Sequence, residues 1–527
     1  MTSAQPSRAV TALWTAAGMA ATVYYFSWLL EPGRAGVLLL FVLLVAADLF
    51  NGFHAFSFWL TCLRGIRTRP FAMPANARVD VLIPTVNEPL DILEATIGGA
   101  RRIRGASVRV LVLDDGDRDE IAKLAQHLGV VYVARAHHTG AKSGNLNNVL
   151  GRADLAPLFC VFDADHVPAP EFLDRTLGLF VDDNVALVQT PQVYANTSAG
   201  PLTAAAAEQQ EVFFGPVCAG RDGWRASFCC GTNFVARTDA VRRAGGFPED
   251  SITEDIVLSA EIVGLGYEIA YVGEPLSRGL GPEDARSYVS QQTRWAVGCL
   301  ELLFRRPRLW SRLSWCQRWQ YFVATSYWLV GWTILVYLSL PLFRLVFGWQ
   351  PVDDSGAFAL HFLPYFLVSV INIGRYTGNG YTIRGLAMVW GSFAIHLRAT
   401  VRVLAGRRTA FAVTSKRALT GFPVRQFLPN LAIATALIAA SVVTAAQGLT
   451  PETFNNVTFA LIDASLVSLI VVFAFQQSRT VATEATPAVA DADDTTVLGR
   501  ASESRHGRRF GHRPRRDVEV PSLDAVN

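Results

Sequence analysis

The stretch Ser251-Ile252-Thr253-Glu254-Asp255 follows a Gly-Gly-Phe-Pro turn and precedes an apolar run that opens at Ile256. This arrangement predicts a helix with Thr253 as its N-cap and both acids in the first turn, where the helix dipole favours negative charge. An acidic cap by itself needs no function. Other carboxylates follow apolar runs upstream, however, and an arginine follows downstream. Together these residues indicate a site for a nucleotide and a metal.

Acidic residues close two apolar runs upstream. Asp114-Asp115-Gly116 follows the run at 108–113, and Asp163-Ala164-Asp165-His166 follows the run at 158–162. Two carboxylates one residue apart at a strand end suit Mg²⁺ or Mn²⁺, which prefer hard oxygen ligands. His166 is either a hydrogen-bonded neighbour of this pair or a third ligand. A lone Asp-x-Asp is weak evidence, so this interpretation depends on the other motifs.

Strand-like and helix-like segments alternate between residues 64 and 318. Predicted strands lie at residues 79–83, 108–113, 130–133, 159–162 and 185–189, and predicted helices at 90–102 and 120–128. This alternation is typical of a mostly parallel sheet covered by helices. Because ligands bind beyond the carboxyl ends of such strands, the residues that follow each strand are the candidates for a site.

Three further loops belong to this predicted edge. Residues 84–89, Pro-Thr-Val-Asn-Glu-Pro, follow the first strand, although turn chemistry alone explains such a sequence. Residues 138–148 hold Lys142 among small residues, which allows backbone N–H groups and an ammonium to approach phosphate. This segment is not a Walker loop. Residues 228–233 are predicted to pass from a strand into a turn at Gly231.

A predicted helix downstream carries a mixed polar and aromatic face. Gln291, Arg294 and Trp295 share that face by their i, i+3, i+4 spacing. The guanidinium can hold diphosphate charge, and the indole can stack on a sugar ring. The alternative is an amphipathic helix at a membrane surface, and the two interpretations are compatible.

Apolar residues concentrate near both ends of the chain. Hydrophobic residues make up 51% and charged residues 17%, against about 25% charged in soluble chains. Six membrane spans are predicted, at residues 9–30, 35–63, 319–347, 358–373, 427–446 and 457–475. The first is too long to be a cleaved signal peptide. Arginines cluster after the second span, before the third and after the fourth. Because cytoplasmic loops carry the excess of Lys and Arg, this predicts that the central domain and both termini are cytoplasmic.

The predicted organisation has four parts. They are N-terminal transmembrane helices at 1–63, a central domain with an interfacial helix at 64–318, C-terminal transmembrane helices at 319–477 and a disordered cytoplasmic tail at 478–527. The net charge of +3 carries little information, because the placement of the charges decides the topology. The lipid bilayer is a predicted partner, and nucleic acid is not.

The motif order D-D-G, K-x-G-N, D-A-D-H, C-G-T, T-E-D, Q-x-x-R-W resembles the processive family 2 glycosyltransferases, and most of all the bacterial cellulose synthase catalytic subunits. Residues 411–416, Phe-Ala-Val-Thr-Ser-Lys, are similar to the gating-loop motif of that family. The resemblance covers residues 79–475. It implies an α/β GT-A-type domain inserted in an α-helical transmembrane domain of about six spans, which form a channel for the product.

The resemblance also implies roles for single residues. Asp255 is similar to the general base of the family, and Thr253 and Glu254 belong to the same catalytic motif. The implied donor-binding residues are Thr85, Glu88, Asp115, Lys142, Asp163, Asp165 and Arg294. The implied acceptor-binding residues are Gln291 and Trp295. A loop near 405–420 would close on the donor through Phe411, Val413, Thr414 and Lys416. Asp163, Asp165 and His166 would hold Mg²⁺ or Mn²⁺.

The implied function is inverting polymerisation of a UDP-sugar at the bacterial inner membrane, with UDP-glucose as the favoured donor and the growing polysaccharide as acceptor. The product would be a β-glucan such as cellulose. Accessory envelope proteins are implied by the resemblance alone, and no cyclic-di-GMP regulation is predicted. Val86 stands where the family has tyrosine, and Gln292 where it has arginine.

Because of these departures, a synthase of the β-1,3-glucan, chitin or hyaluronan type is the alternative. An inert nucleotide-sugar domain on a transporter or scaffold would bind UDP without turnover. A non-processive transferase that modifies a lipid carrier is disfavoured by the Q-x-x-R-W helix and by the gating motif.

Overall fold

The computed structural model describes residues 8–353, 355–378, 380–407 and 421–485. The predicted gating-loop residues Phe411, Val413, Thr414 and Lys416 therefore lie outside the described residues, as do residues 486–527 of the predicted tail. The last described helix runs to Ala485, past residue 477, where the sequence predicted the end of the membrane region.

Ten strands form two sheets within the described residues. The strands are β1 (Arg78–Thr85), β2 (Ser107–Asp114), β3 (Val131–Ala134), β4 (Leu158–Val161), β5 (Val167–Pro168), β6 (Val185–Gln189), β7 (Val193–Tyr194), β8 (Phe234–Arg237), β9 (Glu268–Tyr271) and β10 (Ser277–Gly279). The larger sheet has the order β3-β2-β1-β4-β8-β6-β9, and the smaller one β5-β10-β7. In the larger sheet, β8 is antiparallel to both neighbours, and the other pairs are parallel.

Nineteen α-helices surround and extend the sheets in the part of the chain that the structure describes. They are α1 (Arg8–Leu29), α2 (Leu38–Cys62), α3 (Leu90–Arg101), α4 (Asp119–His127), α5 (Ala141–Leu150), α6 (Phe172–Thr176), α7 (Pro201–Val212), α8 (Cys218–Gly223), α9 (Thr238–Arg243), α10 (Glu254–Gly264), α11 (Ala285–Arg305), α12 (Pro307–Ser311), α13 (Trp315–Ser326), α14 (Val330–Phe347), α15 (Ser355–Tyr376), α16 (Ile383–Gly391), α17 (Phe393–Leu404), α18 (Val424–Gln447) and α19 (Pro451–Ala485).

The larger sheet is buried on both faces. Along β1, Val79, Val81 and Ile83 join one apolar cluster, whereas Leu82 joins another. This follows from the two-residue repeat of a strand, which sends successive side chains to opposite faces. Both faces of the sheet must therefore be covered by helices. A strand that is buried on both faces needs apolar side chains at every position, which explains the continuous apolar runs at residues 79–83 and 108–113.

One predicted strand is replaced by a loop. Residues 228–233 were predicted to pass from a strand into a turn, but the strand β8 begins only at Phe234. Gly231 and Asn233 have φ angles of +82° and +59°, which interrupt an extended run. The N–H of Cys230 instead donates to the side chain of Gln189 at 2.8 Å. Residues 228–233 therefore form a loop that is bonded to the end of β6 through Gln189.

Six helical segments of the described chain are long and apolar enough to cross a membrane. They are Ala9–Leu29, Leu38–Cys62, Trp315–Phe347, Ala357–Tyr376, Val424–Gln447 and Pro451–Thr480. Each overlaps one predicted span, so the prediction of about six spans is confirmed.

A carboxylate lies inside this helical bundle. Asp48 on α2 is fully buried and accepts hydrogen bonds from the hydroxyls of Tyr25 on α1 (2.5 Å) and Tyr337 on α14 (2.6 Å). Asn51 donates to the Tyr337 oxygen at 3.0 Å. Polar groups in apolar surroundings are tolerated when they are hydrogen-bonded to one another. The network therefore joins α1, α2 and α14.

Helix α11 connects the sheet region to the membrane helices. Its N-cap Asp284 accepts from the N–H groups of Arg286 and Ser287 at 2.8 and 3.0 Å. Further along, Ala296 and Val297 pack in one apolar cluster with residues of α17. The helix thus starts beside the sheet and ends against α17, so that its polar face can line a site at the junction.

Candidate active site

The motifs from separate parts of the chain line one cavity of about 220 Å³. It lies beyond the carboxyl ends of β1, β2 and β4, beneath α10 and α11. The predicted site residues that it brings together are Thr85, Glu88, Asp115, Lys142, Asp163, Asp165, His166, Thr253, Glu254, Asp255, Gln291, Arg294 and Trp295. Every predicted site residue that the structure describes is therefore at this cavity.

The loop after β1 is organised by Glu88. One carboxylate oxygen of Glu88 accepts hydrogen bonds from the Thr85 hydroxyl at 2.7 Å and from the N–H of Val86 at 2.8 Å. Arg118 donates to the Thr85 oxygen at 2.8 Å and to the Glu88 carbonyl at 2.7 Å. Thr85 and Glu88 therefore shape the cavity wall through bonds to each other.

Asp115 is held by an arginine that the sequence analysis missed. Arg135 donates to both oxygens of Asp115, at 2.5 and 2.7 Å. His138 places its Nδ1 atom 3.5 Å from the same carboxylate. Arg135 directly follows β3, so its position at the carboxyl end of a predicted strand was the available signal.

Lys142 lies in the first turn of α5 and points across the cavity. Its ammonium donates to Asp163 and to the carbonyl of Gly231, the latter at 2.7 Å. Burial alone would raise the pKa of Asp163, but the Lys142 charge holds that pKa below its ordinary value. Burial likewise opposes the charged form of Lys142, and the charges of Asp163 and Glu254 raise its pKa nevertheless. The pair is therefore ionised at neutral pH.

Asp163, Asp165 and His166 form an acidic cluster beside β5 and β10. One ligand atom from each lies within 4.8 Å of the others. The N–H of Leu280 donates to Asp165 at 3.2 Å, and the imidazole ring of His166 packs against Gly279. Both ring nitrogens of His166 are buried, and neither makes a hydrogen bond to any described residue.

The structure offers the ring of His166 no hydrogen bond among the described residues, so its interpretation as a hydrogen-bonded neighbour gains no support and its role as a ligand stays a prediction. Its ring lies beside the carboxylate pair, with Nδ1 3.5 Å from Asp165. Two carboxylates and an imidazole without a hydrogen bond are a donor set that fits a divalent cation.

Asp255 occupies the first turn of α10, at the cavity wall. Burial raises its pKa to about 7, and the neighbouring charge of Glu254 acts in the same direction. The N–H of Ile256, which donates to Asp255 at 2.8 Å, and the charges of Lys142 and Arg294 oppose that rise. A carboxylate with a pKa near neutrality can accept a proton in the physiological range.

Thr253 holds the N-cap position of α10, but its side chain does not cap the helix. Its hydroxyl makes no hydrogen bond to a described residue and packs against Gly298 of α11. The prediction of Thr253 as the N-cap residue is confirmed, although its side chain makes no capping hydrogen bond. The physical reason is that Gly298 lacks a side chain, so α11 approaches closely and occupies the space beside the threonine.

Helix α11 presents Gln291, Arg294 and Trp295 to the cavity, as their spacing predicted. Gln292, where the sequence departs from the pattern of the resembled family, is only 7% exposed and is not among the described lining residues. Tyr194, which packs in one apolar cluster with Ala285 and Tyr288 of α11, also lines the cavity, and no motif in the sequence indicated it.

A larger cleft of about 1030 Å³ adjoins the cavity, because Lys142 and Glu254 line both. Its outer wall carries the arginines of α11 and α12. Arg306 pairs with Asp250 at 2.8 Å, and Arg312 on the same wall pairs with Glu261 of α10 at 2.7 Å. These ion pairs bracket the segment that contains Asp255.

Comparison with known proteins agrees with the motif order. The profile of the family described as "Glycosyl transferase family group 2" matches residues 158–373. Cellulose synthase 1 of Komagataeibacter xylinus is 32% identical over 416 residues, which are 76% of this chain and 26% of that protein. The cellulose synthase catalytic subunit [UDP-forming] of Pseudomonas fluorescens is 35% identical over 324 residues, or 60% of this chain and 43% of that one.

The chain thus spans a quarter to a half of the length of these curated relatives. Among solved structures, a mannosyltransferase from Pyrobaculum calidifontis in complex with GDP-Man and Mn²⁺ aligns with a TM-score of 0.49 and 15% identity. The alignment covers 70% of this chain and 100% of that one. The family match and the relatives agree with each other: residues 158–373 match the family 2 glycosyltransferases, and the chain is similar to the bacterial cellulose synthases.

Proposed function

We propose that this protein is a membrane-embedded, processive, inverting glycosyltransferase that polymerises a UDP-sugar, with UDP-glucose as the favoured donor, into a β-glucan such as cellulose. The observation that carries the proposal is the meeting of Asp255, the acidic cluster and the polar face of α11 at one cavity. The six apolar helices beside it support translocation of the product through the membrane.

The donor would lie along the sheet edge. Asp115 would contact the nucleoside end, and Lys142 the diphosphate. Asp163, Asp165 and His166 would hold Mg²⁺ or Mn²⁺, which supplies charge neutralisation to the diphosphate.

In the reaction, Asp255 takes the proton from an acceptor hydroxyl. The hydroxyl oxygen bonds to the anomeric carbon on the face opposite the diphosphate, and the bond from that carbon to the diphosphate oxygen breaks. UDP leaves with the bonding electrons, so the anomeric configuration inverts. Arg294 would balance the negative charge of UDP, and Trp295 would stack on the acceptor sugar, since both line the cavity.

We place the catalytic region and both termini on the cytoplasmic side of the bacterial inner membrane. Arg64, Arg67 and Arg69 follow the second span, and further arginines precede the third, which supports this orientation. The growing chain is then extended where UDP-sugars are made and leaves on the opposite side. Envelope proteins that receive it would be partners on that side.

The test uses the purified full chain in lipid vesicles with radiolabelled UDP-glucose. The expected result is an insoluble labelled polymer that a β-1,4-specific glucanase dissolves. Label transferred only to a lipid, or UDP binding without transfer, would contradict the proposal and favour a lipid-carrier transferase or an inert domain.

A second candidate is a synthase of another β-linked polysaccharide, of the β-1,3-glucan, chitin or hyaluronan type. The observation that favours it is that Val86, which is an aliphatic side chain where cellulose synthases have an aromatic ring, lines the cavity. Parallel incubations with UDP-N-acetylglucosamine, followed by linkage-specific glycosidases, separate the candidates.

The rate of transfer should fall as the pH drops below about 7. Asp255 works only as a carboxylate, and burial and Glu254 raise its pKa to about 7, so protonation removes the base in that range. Initial rates measured across pH at saturating donor test this. Glu254→Gln removes the like charge and should move the fall to lower pH. A rate that stays constant down to about pH 5, as an ordinary aspartate would allow, contradicts the prediction.

Replacing Gly231 with alanine should lower the melting temperature about as much as the control Gly129→Ala does, but it should slow sugar transfer much more. Its φ of +82° strains any side chain, and an added Cβ would lie 3.1 Å from an oxygen of Asp255. Gly129 has a φ of +64° and open space around it. Gly129→Ala is therefore a matched control for the backbone strain alone, which costs about 1–2 kcal/mol of stability. Melting temperatures and initial rates of Gly231→Ala and Gly129→Ala are compared, and equal rates would show that the contact with Asp255 is unimportant.

A further inference from the structure

Arg135 lies behind the cavity wall, and all three nitrogens of its guanidinium donate hydrogen bonds. The side chain is 6% exposed, and it is not among the described residues that line the cavity. Two of its nitrogens donate to the two oxygens of Asp115, at 2.5 and 2.7 Å. The same group donates to the carbonyls of Thr139 at 2.7 Å and Ala141 at 3.1 Å. One side chain therefore holds two segments of the wall.

The second of these segments leads directly into Lys142. Its backbone takes an unusual path, since Gly140 and Ala141 both have positive φ angles, of +72° and +46°. For a non-glycine residue such as Ala141, that conformation is strained and persists only when the surroundings hold it. The hydrogen bonds from Arg135 to Thr139 and Ala141 supply that support, and they fix where α5 begins.

We infer that Arg135 is a positioning residue for the donor: it sets Asp115 and the turn before Lys142 at a fixed distance from each other. This inference rests on the proposed function, in which those two residues contact the nucleoside and the diphosphate. A rigid span between them matches a ligand with two polar ends. Arg135 then acts on donor affinity without touching the donor.

The planar fork of arginine is necessary for this arrangement. A lysine carries the same charge, but it has a single nitrogen and cannot serve two carboxylate oxygens and two carbonyls at once. Gly144 also belongs to the arrangement, because an added Cβ there would crowd both Arg135 Nη1 and the carbonyl of Thr139. Both positions can therefore be tested without removing a positive charge from the site.

Two neighbouring strands of the same sheet, β1 and β2, offer a matched control. Arg109 of β2 makes a similar two-pronged pair with Asp80 of β1, at 2.8 and 2.7 Å, away from the residues that line the cavity. Arg109→Lys breaks an equivalent ion pair without changing the donor cradle. A loss caused by weakened packing of the sheet would appear in both variants, whereas a loss of positioning would appear only in Arg135→Lys.

The experiment measures UDP affinity by calorimetry, and KM and kcat for UDP-glucose, on the full chain in detergent. Arg135→Lys should weaken UDP binding and raise KM by about tenfold or more, because charge-assisted bonds are lost, with kcat changed far less. Arg109→Lys should change neither.

Wild-type protein that fails to bind UDP would overturn the proposed function itself. Wild-type protein that binds UDP, together with Arg135→Lys of equal affinity, would overturn only the positioning role. If Arg135→Lys does not fold, Gly144→Ala decides the matter. This variant keeps Arg135 and replaces glycine with alanine, which favours helix. It should also weaken UDP binding. An unchanged affinity for UDP would overturn the inference.

Discussion

Asp255→Asn should abolish sugar transfer and leave UDP binding almost unchanged. The amide keeps the size of the side chain and can still accept the hydrogen bond from the N–H of Ile256, but it cannot take a proton from the acceptor. General-base catalysis is typically worth about 10²–10⁴ in rate, so the loss should be at least of that order. Transfer of radiolabel measures the rate, and calorimetry with UDP measures binding.

The control for this variant is Asp239→Asn. Asp239 also lies in the first turn of a helix, α9, but its side chain is 61% exposed and it does not line the cavity. It should transfer sugar at the wild-type rate. Near-normal transfer by Asp255→Asn would remove Asp255 from the role of base, and lost UDP binding would make it a donor contact instead.

Asp165→Asn should lower transfer by about a hundredfold or more in the presence of Mg²⁺ or Mn²⁺. A bound cation contributes several kcal/mol of charge stabilisation, and each 1.36 kcal/mol is a factor of about ten in rate. The asparagine oxygen can still accept from the N–H of Leu280, as Asp165 does at 3.2 Å, so the fold should survive. Initial rates over a range of metal concentrations provide the measurement.

Chelation gives the matching control for this second prediction. Removal of divalent cations should slow the wild-type enzyme to the level of Asp165→Asn and should weaken UDP binding by the wild type more than by the variant. If chelation affects both proteins equally, or affects neither, Asp165 does not act through a cation.

The sequence predicted the site better than it predicted the sheet. Asp115 and Asp163 follow separate predicted strands, and parallel strands bring their carboxyl ends to one edge, so their meeting could be derived from order alone. The position of the strand β8 could not be derived from the sequence, because Gly231 and Asn233 interrupt the apolar run through positive φ angles, which residue spacing does not reveal. The support from Arg135 depends on two carbonyls, and backbone acceptors leave no mark in the sequence.

Thr253 is the N-cap residue, as predicted, but the absence of a capping hydrogen bond from its side chain could not be predicted, for a related reason. Local sequence favours the cap, and the space it needs is taken by α11, which approaches at Gly298, 45 positions along the chain. For His166 the sequence left two interpretations open, and the structure shows no hydrogen bond from its ring to a described residue, so the interpretation as a third ligand stays a prediction. Local sequence pattern thus indicates which side chains lie at the site, and packing between distant segments decides which hydrogen bonds those side chains can make.

The bonds of Asp48 bear on the biogenesis of the protein. Tyr25 precedes the acid by 23 residues and Tyr337 follows it by 289, so one phenol is synthesised before the acid and the other only after both sheets. An unpartnered aspartate at mid-helix raises the insertion free energy by about 2.5–3.5 kcal/mol. On the proposed membrane topology, Tyr25 is therefore the partner that is available to Asp48 when α2 inserts, and the second hydrogen bond can form only after α14 has been synthesised.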